Sequence, residues 1–315
     1  MRRHRRIVFV LLAVSLVAAA CGSSDSADDT TTTAATTPAT TSTTTTTTTM
    51  APTTTIATPP PIPIDTAEGW ELVWNDEFDG EEINPENWTY DIGGWGWGNG
   101  ELQYYTDRPE NARLQNGLLV IEGRQERYED NYYTSARLLT QGLQEFQYGR
   151  IEARTKVPEG KGMWPAFWML GADFEHNAED QANRWPFVGE IDIMEYVGKE
   201  PDKVFGTVHG PGYAGAGSIG KSIRLDDDVA VDWHTYGIEW DEDGIRWFFD
   251  GEQYFELGPD DLGPQVDWVF DRPFFIIMNL ALGGLFPGPI GLDVEFPKYF
   301  YVDYVRVWQR VDGGS

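Results

Sequence analysis

The stretch EIDIME, residues 190–195, sets three carboxylic acids within six positions. Side chains alternate between the two faces of a β-strand, so Glu190 and Asp192 share one face and Glu195 falls on the other. A single extra residue, a β-bulge at Ile193–Met194, shifts the phase and returns Glu195 to the face of its two neighbours. The glutamates then stand about four strand steps apart, roughly 13 Å between backbones. Side chains leaning together can bring their carboxyls to the roughly 5–5.5 Å that double displacement at a glycosidic bond requires. In that chemistry one glutamate is a nucleophile, and the other protonates the leaving oxygen and later activates water. Asp192 between them adds a like charge and a hydrogen-bonding group. The plainer alternative is a solvated acidic edge strand. Against it stand Val188, Ile191, Ile193 and Met194, whose apolar pattern suits a packed central strand. Acids on the second face of such a strand call for a reason, because burying carboxylates is costly.

The elements that must position these acids read as strands. GLLVIEG (117–123), YGRIEARTKV (148–157), WPAFWML (164–170), KVFGTVHG (203–210), RPFFIIMNLAL (272–282) and FYVDYVRVWQR (300–310) are examples. Asp243-Gly244 and Asp250-Gly251 are hairpin signals between strand patterns. Long helical periodicity is nearly absent and no internal repeat stands out. The pattern predicts an all-β fold, one antiparallel β-sandwich over residues 65–311.

Aromatic residues supply a second kind of chemistry. In WPAFWML, alternation places Trp164, Ala166 and Trp168 on one face, a flat platform suited to pyranose rings; ordinary core packing is the alternative. Trp95 and Trp97 lie in GGWGWGNG (93–100), where flanking glycines argue against a core position and for binding; packing back on the domain is the alternative for either ring. Arg137 and His209 share faces with Ser135 and Thr207 in otherwise apolar strands, and either could be a satisfied structural residue.

The N-terminus, MRRHRRIVFVLLAVSLVAAAC, has a basic start, an apolar run from Ile7 to Val17 and small residues before Cys21. Residues 1–21 are therefore expected to form an export signal. Cys21, the only cysteine, stands where a bacterial lipobox places its lipid-modified residue. The chain is expected outside the cytoplasm, lipid-anchored to the outer face of the bacterial cytoplasmic membrane. A single cysteine excludes an internal disulfide. Residues 22–64, rich in Thr, Ser, Ala and Pro, are expected to be a disordered tether. All 13 tryptophans fall between Trp70 and Trp308, which locates the folded domain after this tether. The 51 acidic against 23 basic side chains repel phosphate backbones, so nucleic acid is excluded as a partner. Neutral polymers and divalent cations remain compatible.

GEIDIMEYVGKEP (189–201) resembles the active-site signature of glycoside hydrolase family 16, in the form with an extra residue, here Met194, found in its laminarinases, agarases and carrageenases and commonly lacking in its lichenases. WNDEFDG (74–80), NGELQYYT (99–106), WPAFWML, NLALGG (279–284) and VDYVRVWQ (302–309) resemble the laminarinase branch, with Gly100 where that branch more often has Asn. The resemblance implies a concanavalin A-like jelly roll with a concave substrate cleft. It also implies a monomeric, retaining endo-β-1,3-glucanase whose partner is β-1,3-glucan. Mixed-linkage β-1,3-1,4-glucanase, agarase-like activity and a non-catalytic glucan-binding module are the alternatives. By position Glu190 is the nucleophile, Glu195 the acid/base and Asp192 the assisting carboxylate. Trp95, Trp97, Asn99, Glu101, Arg137, Trp164, Trp168, His209 and Asn279 become substrate-binding candidates. No cofactor is implied for catalysis. One structural calcium is implied, held near Glu77, Gly117 and Asp303 through backbone oxygens and the last-strand aspartate; oxygen ligands suit this hard cation.

Overall fold

The computed structural model describes residues 56–65 and 68–311. The expected export signal, Cys21 and most of the tether lie outside the described residues. Among those described, no helix is long and apolar enough to cross a membrane.

Two sheets form the domain. The seven-stranded sheet runs β12 (Ile219–Arg224), β11 (Lys203–His209), β10 (Glu190–Glu195), β9 (Met163–Gly171), β16 (Phe274–Leu282), β7 (Arg137–Leu139) and β2 (Thr89–Tyr90). The ten-stranded sheet runs β15 (Glu252–Leu257), β14 (Gly244–Phe249), β13 (His234–Asp241), β8 (Gly149–Lys156), β17 (Lys298–Arg310), β5 (Leu119–Tyr128), β6 (Asn131–Ser135) and β3 (Gln103–Tyr105). Strand β1 (Trp70–Asp76) adds to β17, and β4 (Ala112–Leu114) adds to β5. Every pairing is antiparallel except β3 with β6. The all-β sandwich is therefore as expected, and both hairpin signals fall between paired neighbours, β13–β14 and β14–β15.

The core lies between the sheets. It takes Met163, Phe167 and Met169 of β9, Ile191, Ile193 and Met194 of β10, and Ile276, Met278 and Leu280 of β16 from one side. From the other come Ile151, Ile238, Trp240, Ile245, Trp247, Val305 and Val307. Burying these side chains is the main stabilising term. Alternation along the same strands then turns Glu190, Asp192, Trp164 and Trp168 to the outer face of the seven-stranded sheet.

The domain begins earlier than its composition suggests. Residues 56–65, most of which were expected to belong to the disordered tether, lie on the outer face of the ten-stranded sheet. Arg154 donates to the Pro60 carbonyl at 2.7 Å and Arg306 to that of Ile62 at 2.9 Å. Arg150 pairs with Asp65 at 2.7 Å, and Ile56 packs on Leu118, Val120 and Tyr301. A proline-rich segment has little freedom to lose and offers carbonyls without N–H groups, which suits a row of guanidinium donors.

Candidate active site

The bulge sits where the acid spacing requires it. Against β9, Asp192 pairs with Trp168 and Met194 with Phe167, so Ile193 is the unmatched residue. Against β11, Asp192 pairs with Thr207 and Glu195 with Phe205, so Ile193 and Met194 together face one residue. Beyond the bulge Glu195 is level with Ala166 of β9. Pairing then lays out two rows across the outer face. One runs Phe205, Glu195, Ala166, Asn279, Arg137, and the other Thr207, Asp192, Trp168, Ile277, Leu139. Ala166, between the larger side chains, leaves space beside Glu195.

Each glutamate receives one indole N–H. Trp185 donates to Glu190 Oε2 at 2.9 Å, and Trp164 to Glu195 Oε1 at 3.0 Å. His209 Nε2 lies 3.2 Å from Asp192 Oδ2 and 3.5 Å from Glu190 Oε1. The Gly215 N–H donates to His209 Nδ1 at 3.0 Å, which assigns the ring proton of the neutral imidazole to Nε2, facing the acids. Asp192 Oδ2 is buried and makes no aligned hydrogen bond.

Burial raises the pKa of all three acids. The charge on Asp192 raises Glu190 and Glu195 further, while His209 and the indole donors pull them partway back. Three carboxylates so placed cannot all ionise together near neutral pH, and they titrate as one unit. The group can hold a proton on one carboxyl while another stays charged, the division of labour that acid/base and nucleophilic work requires. Glu190, Asp192 and His209 also bring one ligand atom each within 4.8 Å of one another, a spacing a divalent cation could use.

The other substrate-binding candidates fall into two groups. Arg137 lies over the rings of Trp97 at 5.0 Å and Trp168 at 4.6 Å, with Nε 3.0 Å from Asp91. Burial works against the charge of Asp91, but His176 and Arg137 outweigh it and hold its carboxyl below the usual range. Trp95 is 63% exposed and rests on Trp97, their ring centroids 3.9 Å apart. These rings and the Arg137 guanidinium form one stacked group. Asn279, Glu101 and Asn99 stand behind them. Trp168 donates to Asn279 at 2.7 Å, Asn279 to the Tyr105 hydroxyl at 3.1 Å, and Tyr105 to Glu101 at 3.1 Å. Gln103 and Asn99 also donate to Glu101, although burial still raises its pKa. This chain fixes the tilt of Trp168. Gly100 has φ +67°, a left-handed conformation that asparagine also tolerates, so Gly and Asn can exchange at this position.

Trp185, Asp91, His176 and Tyr105 escaped the sequence reading. Trp185 lies in a loop five residues before Glu190, and no periodicity marks such a position. Its one signal was adjacency, in WPFVGE.

The residues expected around calcium divide their oxygens. Both Glu77 carboxylate oxygens accept from Arg306, at 2.8 and 2.9 Å. Gly117, in a turn at φ +72°, can offer only its carbonyl. Asp303 is unmatched against β8 at a bulge in β17, and its carboxylate lies 3.3 Å from Arg154.

Comparison with known proteins agrees with this geometry. Residues 85–305 match the profile of Glycosyl hydrolases family 16. The chain is 49% identical to a beta-glucanase of Rhodothermus marinus, covering 79% of this chain and 88% of that one. It is 38% identical to a glucan endo-1,3-beta-glucosidase of Cryptopygus antarcticus, covering 76% and 92%. The fold superposes on the laminarinase catalytic domain of Thermotoga maritima with a TM-score of 0.73 at 47% identity, covering 78% of this chain and all of that one. With the signature acids on one face of the seven-stranded sheet and the profile matched over residues 85–305, the chain belongs to Glycosyl hydrolases family 16.

Proposed function

We propose that this protein is an endo-β-1,3-glucanase that hydrolyses internal bonds with retention of configuration. The observation that carries this reading is the β10 bulge, which levels Glu195 with Ala166 on the face that holds Glu190 and Asp192. Glu190 attacks the anomeric carbon as the glycosidic C–O bond breaks, and Glu195 gives its proton to the departing oxygen. Glu195, now a carboxylate, takes a proton from the water that attacks the same carbon and frees Glu190. Asp192 keeps the pKa of Glu195 high enough to hold the first proton. His209 and Trp185 hold Glu190 toward the anomeric carbon. Trp95, Trp97, Trp164 and Trp168 stack on sugar rings, and Arg137 binds hydroxyls.

The test is a time course of oligosaccharides from laminarin. Wild-type protein should release a spread of sizes from the outset, faster than from mixed-linkage glucan, and Glu190→Gln protein almost none. Wild-type rates in the variant would overturn the reading.

The remaining parts of the proposal concern the setting. The protein acts as a monomer, exported and held at the membrane by a lipid on Cys21; Cys21→Ala should release it from the membrane fraction. One structural calcium is bound at the backbone oxygens of Glu77 and Gly117 and at Asp303, and chelation should lower the melting temperature.

A further inference from the structure

The active-site bulge has a partner in the opposite sheet. Trp247 of β14 is fully buried, and its Nε1–H donates to the main-chain carbonyl of Asp192 at 2.9 Å. That carbonyl stands where the β10 ladders slip against both neighbours. Here the indole supplies a donor to a backbone acceptor at the point where regular pairing is interrupted, and a buried acceptor of this kind needs one.

The indole reaches this point because of Gly206. This residue of β11 stands between Thr207, paired with Asp192, and Phe205, paired with Glu195, so it is the one residue opposite the bulge. A Cβ at Gly206 would lie 2.6 Å from Trp247 Cδ1 and 2.4 Å from the Tyr254 hydroxyl oxygen. Only a residue without a side chain admits the ring. Phe255 stacks on its other side at 4.7 Å and leaves it little room to tilt.

We propose that Trp247 is a positioning residue for Glu195. It anchors the peptide at which the bulge begins, and the phase of the bulge decides whether Glu195 points along the cleft or away from it. This rests on the glucanase reading and adds to it a determinant outside the cleft. Trp247 does not touch substrate; it acts through the backbone between Asp192 and Glu195.

The test uses two substrates that differ in their need for an acid. Cleavage of laminarin requires Glu195 to protonate the leaving oxygen. Cleavage of 2,4-dinitrophenyl β-laminaribioside does not, because dinitrophenolate leaves as an anion. Trp247→Phe keeps an aromatic ring and removes the N–H. It should lower kcat/KM on laminarin about tenfold, the loss of one hydrogen bond. The same variant should keep kcat/KM on the dinitrophenyl glycoside within about twofold, with the basic limb of its laminarin pH profile displaced. Trp247→3-benzothienylalanine, which keeps the shape of the indole without its N–H, should repeat the pattern and serves if the phenylalanine variant folds poorly. Equal losses on the two substrates, or no loss on either, would overturn the positioning role of Trp247 while leaving the glucanase reading intact. Wild-type protein inactive on both would overturn the two together.

Discussion

Two acids of this protein are buried to the same degree, each 3% exposed, and kept in opposite company. Glu122, on the outer face of the ten-stranded sheet, has Arg113 at 2.8 Å and Arg124 at 2.5 Å. Asp192, on the outer face of the seven-stranded sheet, has one histidine and two more acids. Glu77 and Asp303 follow the first pattern, with Arg306 and Arg154 as partners. Ion pairing with guanidinium groups offsets the cost of burial at Glu122, and no guanidinium does so at Asp192. Where a fold leaves carboxylates buried together without cations, their raised pKa values are available for proton transfer.

The sharpest break in this comparison is removal of the acids themselves. Glu190→Gln or Glu195→Gln should lower kcat on laminarin at least about 1,000-fold, with azide restoring part of the rate for Glu195→Ala on an activated aryl glycoside. Asp192→Asn should cost less, about 10- to 100-fold. Its charge raises Glu195, so its removal lowers that pKa, and the basic limb of the pH–rate profile should move to lower pH.

Stability should answer in the opposite sense on the two sheets. Glu122→Gln removes the charge that Arg113 and Arg124 share, and should destabilise the domain by about 2–3 kcal/mol with kcat/KM unchanged. Asp192→Asn should stabilise it, increasingly as pH rises. The folded pKa of Asp192 is raised, so the folded state binds more protons than the unfolded chain above about pH 4. Stability of the wild type is therefore lost as pH climbs from that point toward the raised value. Denaturant melts at pH 5 and pH 8 for the two variants check both signs. The smallest effect should follow deletion of residues 56–65, a fall of a few degrees in melting temperature without change in activity at 25 °C.

Much of the active strand could be read from six letters. Apolar residues at Ile191, Ile193 and Met194 imply a packed strand, and the surplus residue implies the bulge that the register displays. The sandwich was legible for the same reason, since strand periodicity is local. The supports were not. Trp185, His176 and Asp91 reach Glu190 and Arg137 from loops, where geometry rather than period decides what meets. Trp247 lies on the far sheet, and its role depends on Gly206 some forty positions away. The start of the domain was hidden by composition, because prolines that dock on arginines look the same in sequence as prolines in a tether.

If Glu190 and Glu195 act in turn on one anomeric carbon, its configuration is retained. Proton NMR of laminarin hydrolysis, recorded before mutarotation, tests this most directly. The first reducing ends should be β anomers; α anomers appearing first would rule out double displacement.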